Sequence, residues 1–413
     1  MGANLKPFLQ EWSMKSKSMF VLFFLVFSIY FIFSLQPTPN ESKYPLGGHS
    51  FENGKKISLS ASGYDFKRLY TGEKQYQLMD KQWFKWEVSK NRKTIGYITI
   101  TQDAVYNGDF YYLARYEPLT DSKQPFILNI TLSGSTSPFY ENHAEYPKGI
   151  DMTESVWQGR QSARAHLSKY TAVVENKQYS MWMSLAYVYR QRERGVLEEL
   201  YNKVLPIRND NRGNFSIYFP QHKGTVSEQW SVVSASPLID WNHKLAQTNL
   251  RMADLNRARK WSEDGMYFIT PTTYVPYAPN FFWRIPAQYV GELFIRSEGA
   301  RVFETFGIVS MYTAVNTLNK DGYWASTPRS TMLYDDYKID GGFYDTRFNT
   351  DTALFMIRAY NKFKDQDALN VAKTYGGFLI NYMKTHSFKT KNGGLLVCDY
   401  GNFETPLIKT HMK

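Results

Sequence analysis

The chain has 413 residues, a formal net charge of +11 at pH 7, seven His and a single cysteine, Cys398. One cysteine excludes an intrachain disulfide framework, so the fold must rest on a large core. There is no P-loop, dinucleotide fingerprint, HExxH, CxxC or GxSxG, so the functions those motifs mark have no support.

The first feature in chain order is an uncharged run from Met19 to Leu35, MFVLFFLVFSIYFIFSL. As a helix it would be ~25 Å long, the low end for crossing a bilayer. Lys6, Lys15 and Lys17 precede it against Glu11, and Pro37, Pro39 and Glu41 follow. This predicts a cytoplasmic tail (1–18), a transmembrane anchor (19–35) and a single-pass membrane protein whose bulk faces outward. A cleaved signal peptide is the rival reading, but the run is long for one and no small-x-small site closely follows. Low cysteine use and a Lys- and Asn-rich composition favour a bacterial cell envelope over a Golgi lumen. Asn129-Ile-Thr131 and Asn214-Phe-Ser216 match the glycosylation sequon, which also arises by chance.

Residues 36–55 read as a stalk of Pro, Asn, Gly and Ser, and 56–150 as a β-rich domain. Ile98 and Ile100 alternate with Thr99 and Thr101, and Phe126, Leu128, Ile130 and Leu132 with Ile127, Asn129, Thr131 and Ser133. Asn107-Gly108 marks a turn between them, and the pattern predicts an antiparallel sheet or sandwich.

From 151 to 413 the expected period is helical. Met181, Leu185 and Val188 are spaced as on a helix face, then Val302, Phe306, Val309 and Val315 in a helix ending at Leu318. Leu354, Ile357 and Tyr360, then Val371, Tyr375, Phe378, Leu379 and Tyr382, form an α-hairpin joined by Lys364-Asp365-Gln366-Asp367. Asn349 or Thr350 is the expected cap of its first helix. Residues 205–285 alternate poorly and give no clear element. The expected fold is therefore α+β and multidomain: a transmembrane helix, an antiparallel β domain and a C-terminal helical domain. Helical hairpins with aromatic, Asp-rich and Gly-rich loops resemble the α/α toroids of carbohydrate-active enzymes, whose loops build a sugar cleft. A TPR-like solenoid is the alternative, but no repeat of about 34 residues is visible.

The richest chemical cluster is Tyr334-Asp335-Asp336-Tyr337 with Asp340, Tyr344, Asp345 and Arg347. Neighbouring carboxylates divide acid and base roles when their surroundings differ, and Arg347 suits a bidentate grip on a uronate carboxylate. The same acids also cap helices and order turns. Trp241, in Ile239-Asp240-Trp241-Asn242-His243, and Trp324 are candidate stacking surfaces for a sugar, and Arg329 is a further substrate-binding candidate. The basic exterior suits an acidic polysaccharide, a teichoic-type polymer or the membrane surface, although scattered charge also serves solubility. Nucleic acid is a poor partner for an exported chain. Seven His and one Cys argue against zinc; no cofactor is expected, with loop carboxylates leaving calcium open. A homodimer is left open.

Gly393-Gly394-Leu395-Leu396-Val397 with Asp399-Tyr400, then Thr410-His411, resembles the C-terminal domain of D-glucuronyl C5-epimerases. The likeness covers roughly the last quarter of the chain. It implies an anchor, a β-rich middle and an α/α C-terminal domain, with a Tyr-rich segment and the Thr-His pair near the uronate. The family continues past that pair with a further helix, whereas this chain stops at Lys413. The resemblance implies proton transfer at C5 of a uronate by Tyr344, Tyr400 and His411, with Arg347 on the carboxylate. A β-eliminating lyase shares the first step. A glycoside hydrolase would use Asp336 and Asp345 as its acid/base pair. A non-catalytic polysaccharide-binding envelope protein is the third reading.

Overall fold

A strand with apolar residues at alternate positions must bury one face, and two such sheets meet most simply face to face. In a computed structural model of the chain, the described residues are 43–135, 137–145, 156–162, 166–167, 171–243, 245–246, 250, 261–262, 265–284, 291–296 and 298–403. The described residues from Tyr44 onward form one unit.

The chain opens with β1 (Lys43–Ser50), β2 (Lys56–Ser62), β3 (Asp65–Gln75), β4 (Met79–Lys90), β5 (Lys93–Val105), β6 (Phe110–Pro118) and β7 (Ser122–Leu132). Next come β8 (Tyr140–Glu145), β9 (Val156–Ser162), β10 (His166–Leu167), β11 (Thr171–Glu175), β12 (Ser180–Ser184) and β13 (Tyr187–Gln191). They are followed by β14 (Val196–Glu199), β15 (Ile207–Asn209), β16 (Asn214–Gln221) and β17 (Val226–Ser234). One sheet has the order β1-β2-β7-β16-β15-β10. In the larger sheet β3, β4, β5, β6 and β17 lie side by side, and the far edge of β17 is shared by β12 and β13. The sheet continues from β12 through β11, β8 and β9. From β13 it runs through β14 to β21 (Phe281–Arg284), β19 (Gly265–Ile269) and β18 (Trp261–Ser262).

The sheets close on a common core in which Ile98, Ile100, Leu128, Ile130 and Ile217 are fully buried. The period-two segments expected around Ile98 and Leu128 are thus strands β5 and β7, and Gly108, at φ 83°, turns the chain between β5 and β6. The two sequon segments pair with each other: Thr131 Oγ1 donates to Asn214 Oδ1 at 3.0 Å and Ser216 Oγ to Asn129 Oδ1 at 2.9 Å.

The other face of the larger sheet carries a second core, covered by helices. They are α1 (Gly291–Arg296), α2 (Arg301–Thr317), α3 (Thr331–Tyr337), α4 (Thr346–Phe363) and α5 (Gln366–Thr385). Phe306 of α2 meets Trp230 and Trp182 at ring separations of 5.2 and 5.3 Å, edge to face. The α4–α5 hairpin is present: Lys364 adopts the left-handed conformation, and Asp365 caps α5 by accepting from the Ala368 N–H.

Three expectations are corrected. Among the described residues there is no C-terminal α/α toroid: residues 171–234 form strands β11 to β17 and their connections, and the described helices form one layer on a sheet. Met181 lies in β12, Leu185 in the bend after it and Val188 in β13, all buried. A strand buried on both faces shows no alternation, so chance spacing there imitates a helix face. Of the segment expected as a stalk, Lys43–Ser50 is strand β1 and residues 51–55 are the turn into β2. The single-pass membrane protein is corrected as well: no helix among the described residues is long and apolar enough to cross a membrane. The run 19–35 lies outside the described residues.

Asp103 of β5 is fully buried, and neither of its oxygens has a hydrogen-bond partner; Lys81 stands 3.9 Å away. Burial pushes the carboxyl up to about 6, against the pull of Lys81. A raised folded-state pKa means that the folded chain holds an extra proton between about pH 4 and 6, so stability falls as pH rises through that window. Asp103→Asn should therefore raise stability at pH 7 by roughly 1–3 kcal/mol. Urea midpoints at acidic and neutral pH check this, and the variant should lose part of the wild-type pH dependence.

Candidate functional site

Three short strands, β22 (Ala325–Ser326), β24 (Phe343–Asp345) and β27 (Tyr400–Gly401), the last following the paired strands β25 (Ser387–Lys389) and β26 (Leu395–Val397), build a small sheet with β24 in the middle. Tyr344 pairs with Gly401, and Asp345 with Tyr400. Alternation along β24 sends Phe343 and Asp345 to one side and Tyr344 to the other. On the Tyr344 side, its hydroxyl lies 2.9 Å from that of Tyr375, which is 3.0 Å from Thr350 Oγ1. Gly401 has no room for a side chain there: a Cβ would stand 2.8 Å from the Tyr382 ring.

On the Asp345 side, Phe343 packs with Tyr274, Tyr337 and Tyr400. Tyr274 belongs to β20 (Tyr274–Val275), which pairs with β23 (Arg329–Ser330). Asp345 caps α4, accepting from the Phe348 N–H at 3.0 Å. A helix N-terminus normally favours the anion. Here burial wins and pushes the carboxyl up to about 6; the N–H groups of Phe348 and Arg347 and the Arg347 charge oppose it, while Asp399 adds to it. Burial, then the Asp345 and Tyr400 charges, raise the Tyr274 phenol above its ordinary value. Burial, then Asp345 and Asp399, do the same for Tyr400. Arg347 leaves 84% of its side chain exposed, with Asp351 at 3.9 Å. The arrangement is an easily protonated, buried carboxyl near two phenols held neutral, with an exposed guanidinium on the same helix start.

The loop leading into β24 is held to the larger sheet. Asp340 accepts from Arg329 Nε and Nη2, both at 2.9 Å, and from Arg194 Nη1 at 2.5 Å. Arg194 lies in the turn between β13 and β14. These bonds, that from Arg329 first, hold Asp340 well below the usual carboxylate range.

Of the residues expected to form the site, the structure brings Asp345, Tyr400 and Arg347 together. Tyr344 is fully buried, and burial followed by Tyr375 raises its phenol far above the usual range. Arg329 is committed to Asp340 and stacks over Tyr334 at 4.0 Å. Trp324 is a core residue, its Nε1 donating to the Ala314 carbonyl at 2.9 Å. Trp241 is partly buried and donates to Glu175 Oε2 at 2.6 Å, next to β11. Asp336 is exposed on α3. His411 lies outside the described residues. Asn349, an expected cap, instead bridges Trp324, accepting from its N–H at 2.7 Å and donating to its carbonyl at 2.9 Å. Tyr274 was not foreseen; nothing local in Thr272-Thr273-Tyr274-Val275-Pro276 marks it, and only β20–β23 pairing delivers it. Among the described residues no group of three His, Cys, Asp or Glu side chains is placed to hold a metal ion. No known protein-family model matches the chain, and no curated protein matches it.

Two substitutions separate architecture from chemistry. Tyr344→Phe leaves Tyr375 its bond to Thr350, so urea unfolding should show a loss of only about 1 kcal/mol. Asp340→Ala leaves two guanidinium groups facing each other. It should lower the urea midpoint slightly, as expected of an exposed pair, and the deficit should shrink in high salt, which screens the repulsion.

Proposed function

We propose that the protein acts on an acidic polysaccharide by proton transfer at C5 of a uronate, as a D-glucuronyl C5-epimerase does. The observation that carries this reading is the Asp345–Tyr400 pair across β24 and β27, with Tyr274 beside it and Arg347 exposed on the first turn of α4. A carboxyl titrating at about 6 is a stronger base than an ordinary carboxylate and is still mostly ionised at neutral pH. In this reading Asp345 takes the C5 proton and Tyr274 or Tyr400 returns its phenol proton to the opposite face; water then reprotonates the phenolate and takes the proton from Asp345 before the next turnover. Arg347 grips the uronate carboxylate and stabilises the charge that develops on it. Tyr344, sealed in the core, has no part in the transfer. The net charge of +11 and the 31 Tyr and 10 Trp support a polyanionic glycan as the substrate class.

The test is to incubate the full-length protein with a glucuronic-acid-containing polysaccharide in D2O and follow the uronate C5 proton by NMR. The expected result is loss of that signal from an intact polymer, with a rate that climbs as pH rises through about 6 because Asp345 must be ionised to accept. Asp345→Asn and the double variant Tyr274→Phe/Tyr400→Phe should each slow exchange by about 100-fold or more, and Arg347→Gln should raise KM. Exchange with new unsaturated ends would mean a lyase. New reducing ends without exchange would mean a hydrolase. A folded, polymer-binding protein that does neither would be a non-catalytic binder, and the proposal would fall.

A further inference from the structure

β3 and β4 form one edge of the larger sheet, apart from the small sheet that carries Asp345. Their ladder sets Lys67 opposite Glu87, Tyr70 opposite Lys85, Gly72 opposite Trp83 and Lys74 opposite Lys81. Directly opposed residues share a face, so two large aromatic rings and four lysines stand together on these two strands with a single glutamate; of the lysines, Lys81 is turned to Asp103 of β5 at 3.9 Å, which leaves Lys67, Lys74 and Lys85. The face continues on β5, where Tyr97 lies opposite Glu87, Thr99 opposite Lys85, Thr101 opposite Trp83 and the buried Asp103 opposite Lys81.

Local geometry opens this face rather than packing it away. Trp83 lies against the Gly72 backbone: a Cβ at Gly72 would stand 2.3–2.7 Å from three indole atoms. Tyr70, 54% exposed, sits beside the indole with ring centroids 6.4 Å apart. Lys85 Nζ lies 5.2 Å from the Tyr97 ring centre. Trp83, Lys85 and Tyr97 are all only partly buried. Lysine on an edge strand guards against unwanted strand pairing, which accounts for Lys67 and Lys74. It does not account for Lys85 and Trp83, because β4 is an interior strand.

We propose that Tyr70, Trp83, Lys85 and Tyr97, with Lys67 at the rim, form a second binding site that takes a chain of the acidic polysaccharide away from the Asp345 site. Aromatic faces pack on the C–H faces of sugar rings, and lysines meet the carboxylates as mobile point charges. The excess of lysine over glutamate selects an acidic rather than a neutral polymer. The choice of polymer rests on the function proposed above; the existence of a glycan site on this face does not need proton transfer at Asp345.

Titration calorimetry with a glucuronic-acid-containing polysaccharide on full-length Trp83→Ala, Gly72→Val, Lys85→Gln and Asp345→Asn tests this. Trp83→Ala should weaken polymer binding about tenfold, and Gly72→Val should match it by pushing the indole off its seat. Lys85→Gln, a surface change that leaves the fold intact, should flatten the salt dependence. Asp345→Asn should keep the polymer affinity while losing C5 exchange on a short oligosaccharide, and Trp83→Ala should do the reverse. Wild-type binding by both Trp83→Ala and Lys85→Gln would overturn the proposal. So would equal affinity for a neutral glycan, or a Trp83→Ala effect confined to self-association. If no exchange occurs anywhere but the Trp83 and Lys85 effects appear, the catalytic reading falls and this site stands.

Discussion

All nine residues of β17 are buried, although five of them are Ser, Glu or Gln. The rest of the structure follows from satisfying that strand on both faces and both edges. Its edges are met by β6 on one side and by β12 and β13 in succession on the other. On the sandwich side, Gln229 Nε2 donates to the Trp230 carbonyl at 2.7 Å and to Ser231 Oγ at 3.0 Å, and Ser231 Oγ lies 3.1 Å from the Tyr112 hydroxyl. On the helix side, Glu228 accepts from Arg115 Nη1 at 2.6 Å, and Arg115 also donates to the Tyr189 hydroxyl at 2.8 Å. A buried carboxylate without such partners would be strongly destabilising. Once β17 is covered on both faces, the sandwich and the helical layer are two halves of one solution.

The helical layer is therefore a cover, and its attachments are polar as well as apolar. Arg301 at the start of α2 pairs with buried Asp109 at 3.0 Å, and Thr305 Oγ1 donates to the same carboxylate at 2.6 Å. At the other end of α2, the Leu78 N–H donates to the Tyr312 hydroxyl, which donates to Asp365 Oδ2 at 2.6 Å. Asp365 is itself the cap of α5. One short chain of bonds thus runs from the sheet through α2 to the helix hairpin. Each link has a geometry that a toroid of inner and outer helices would not need.

What the amino-acid sequence revealed depended on solvent. β5 and β7 keep one wetter face, so Ile98, Ile100, Leu128 and Ile130 alternate with residues that stay partly exposed. β12 and β13 do not: Met181, Trp182 and Met183 are all buried, and the period that identifies a strand is erased. The candidate site divides in the same way. The stretch Gly341-Gly342-Phe343-Tyr344-Asp345 stood out locally, but assigning both Tyr344 and Asp345 to one cleft required a loop. As a strand, β24 must send adjacent side chains to opposite sides, and only Asp345 faces Tyr400. Tyr274 was hidden for another reason, since long-range pairing leaves no local trace.

Two carboxylates five residues apart in the same segment show how environment assigns roles. Asp340 is half-exposed and holds two guanidinium groups, so its anion is stabilised and its proton is of no chemical use. Asp345 also has stabilising partners, the first N–H groups of α4 and the Arg347 charge, yet burial outweighs them and its proton affinity rises. The cap bond explains why the side chain is held still; the desolvation explains why it can carry a proton near neutral pH. Divergent surroundings of this kind separate a structural acid from a chemical one. Asp340 fixes the loop against the turn between β13 and β14, so that the strand bearing Asp345 enters the small sheet in register with Tyr400. The ion-paired carboxylate positions the desolvated one, and exchanging their surroundings would remove both functions at once.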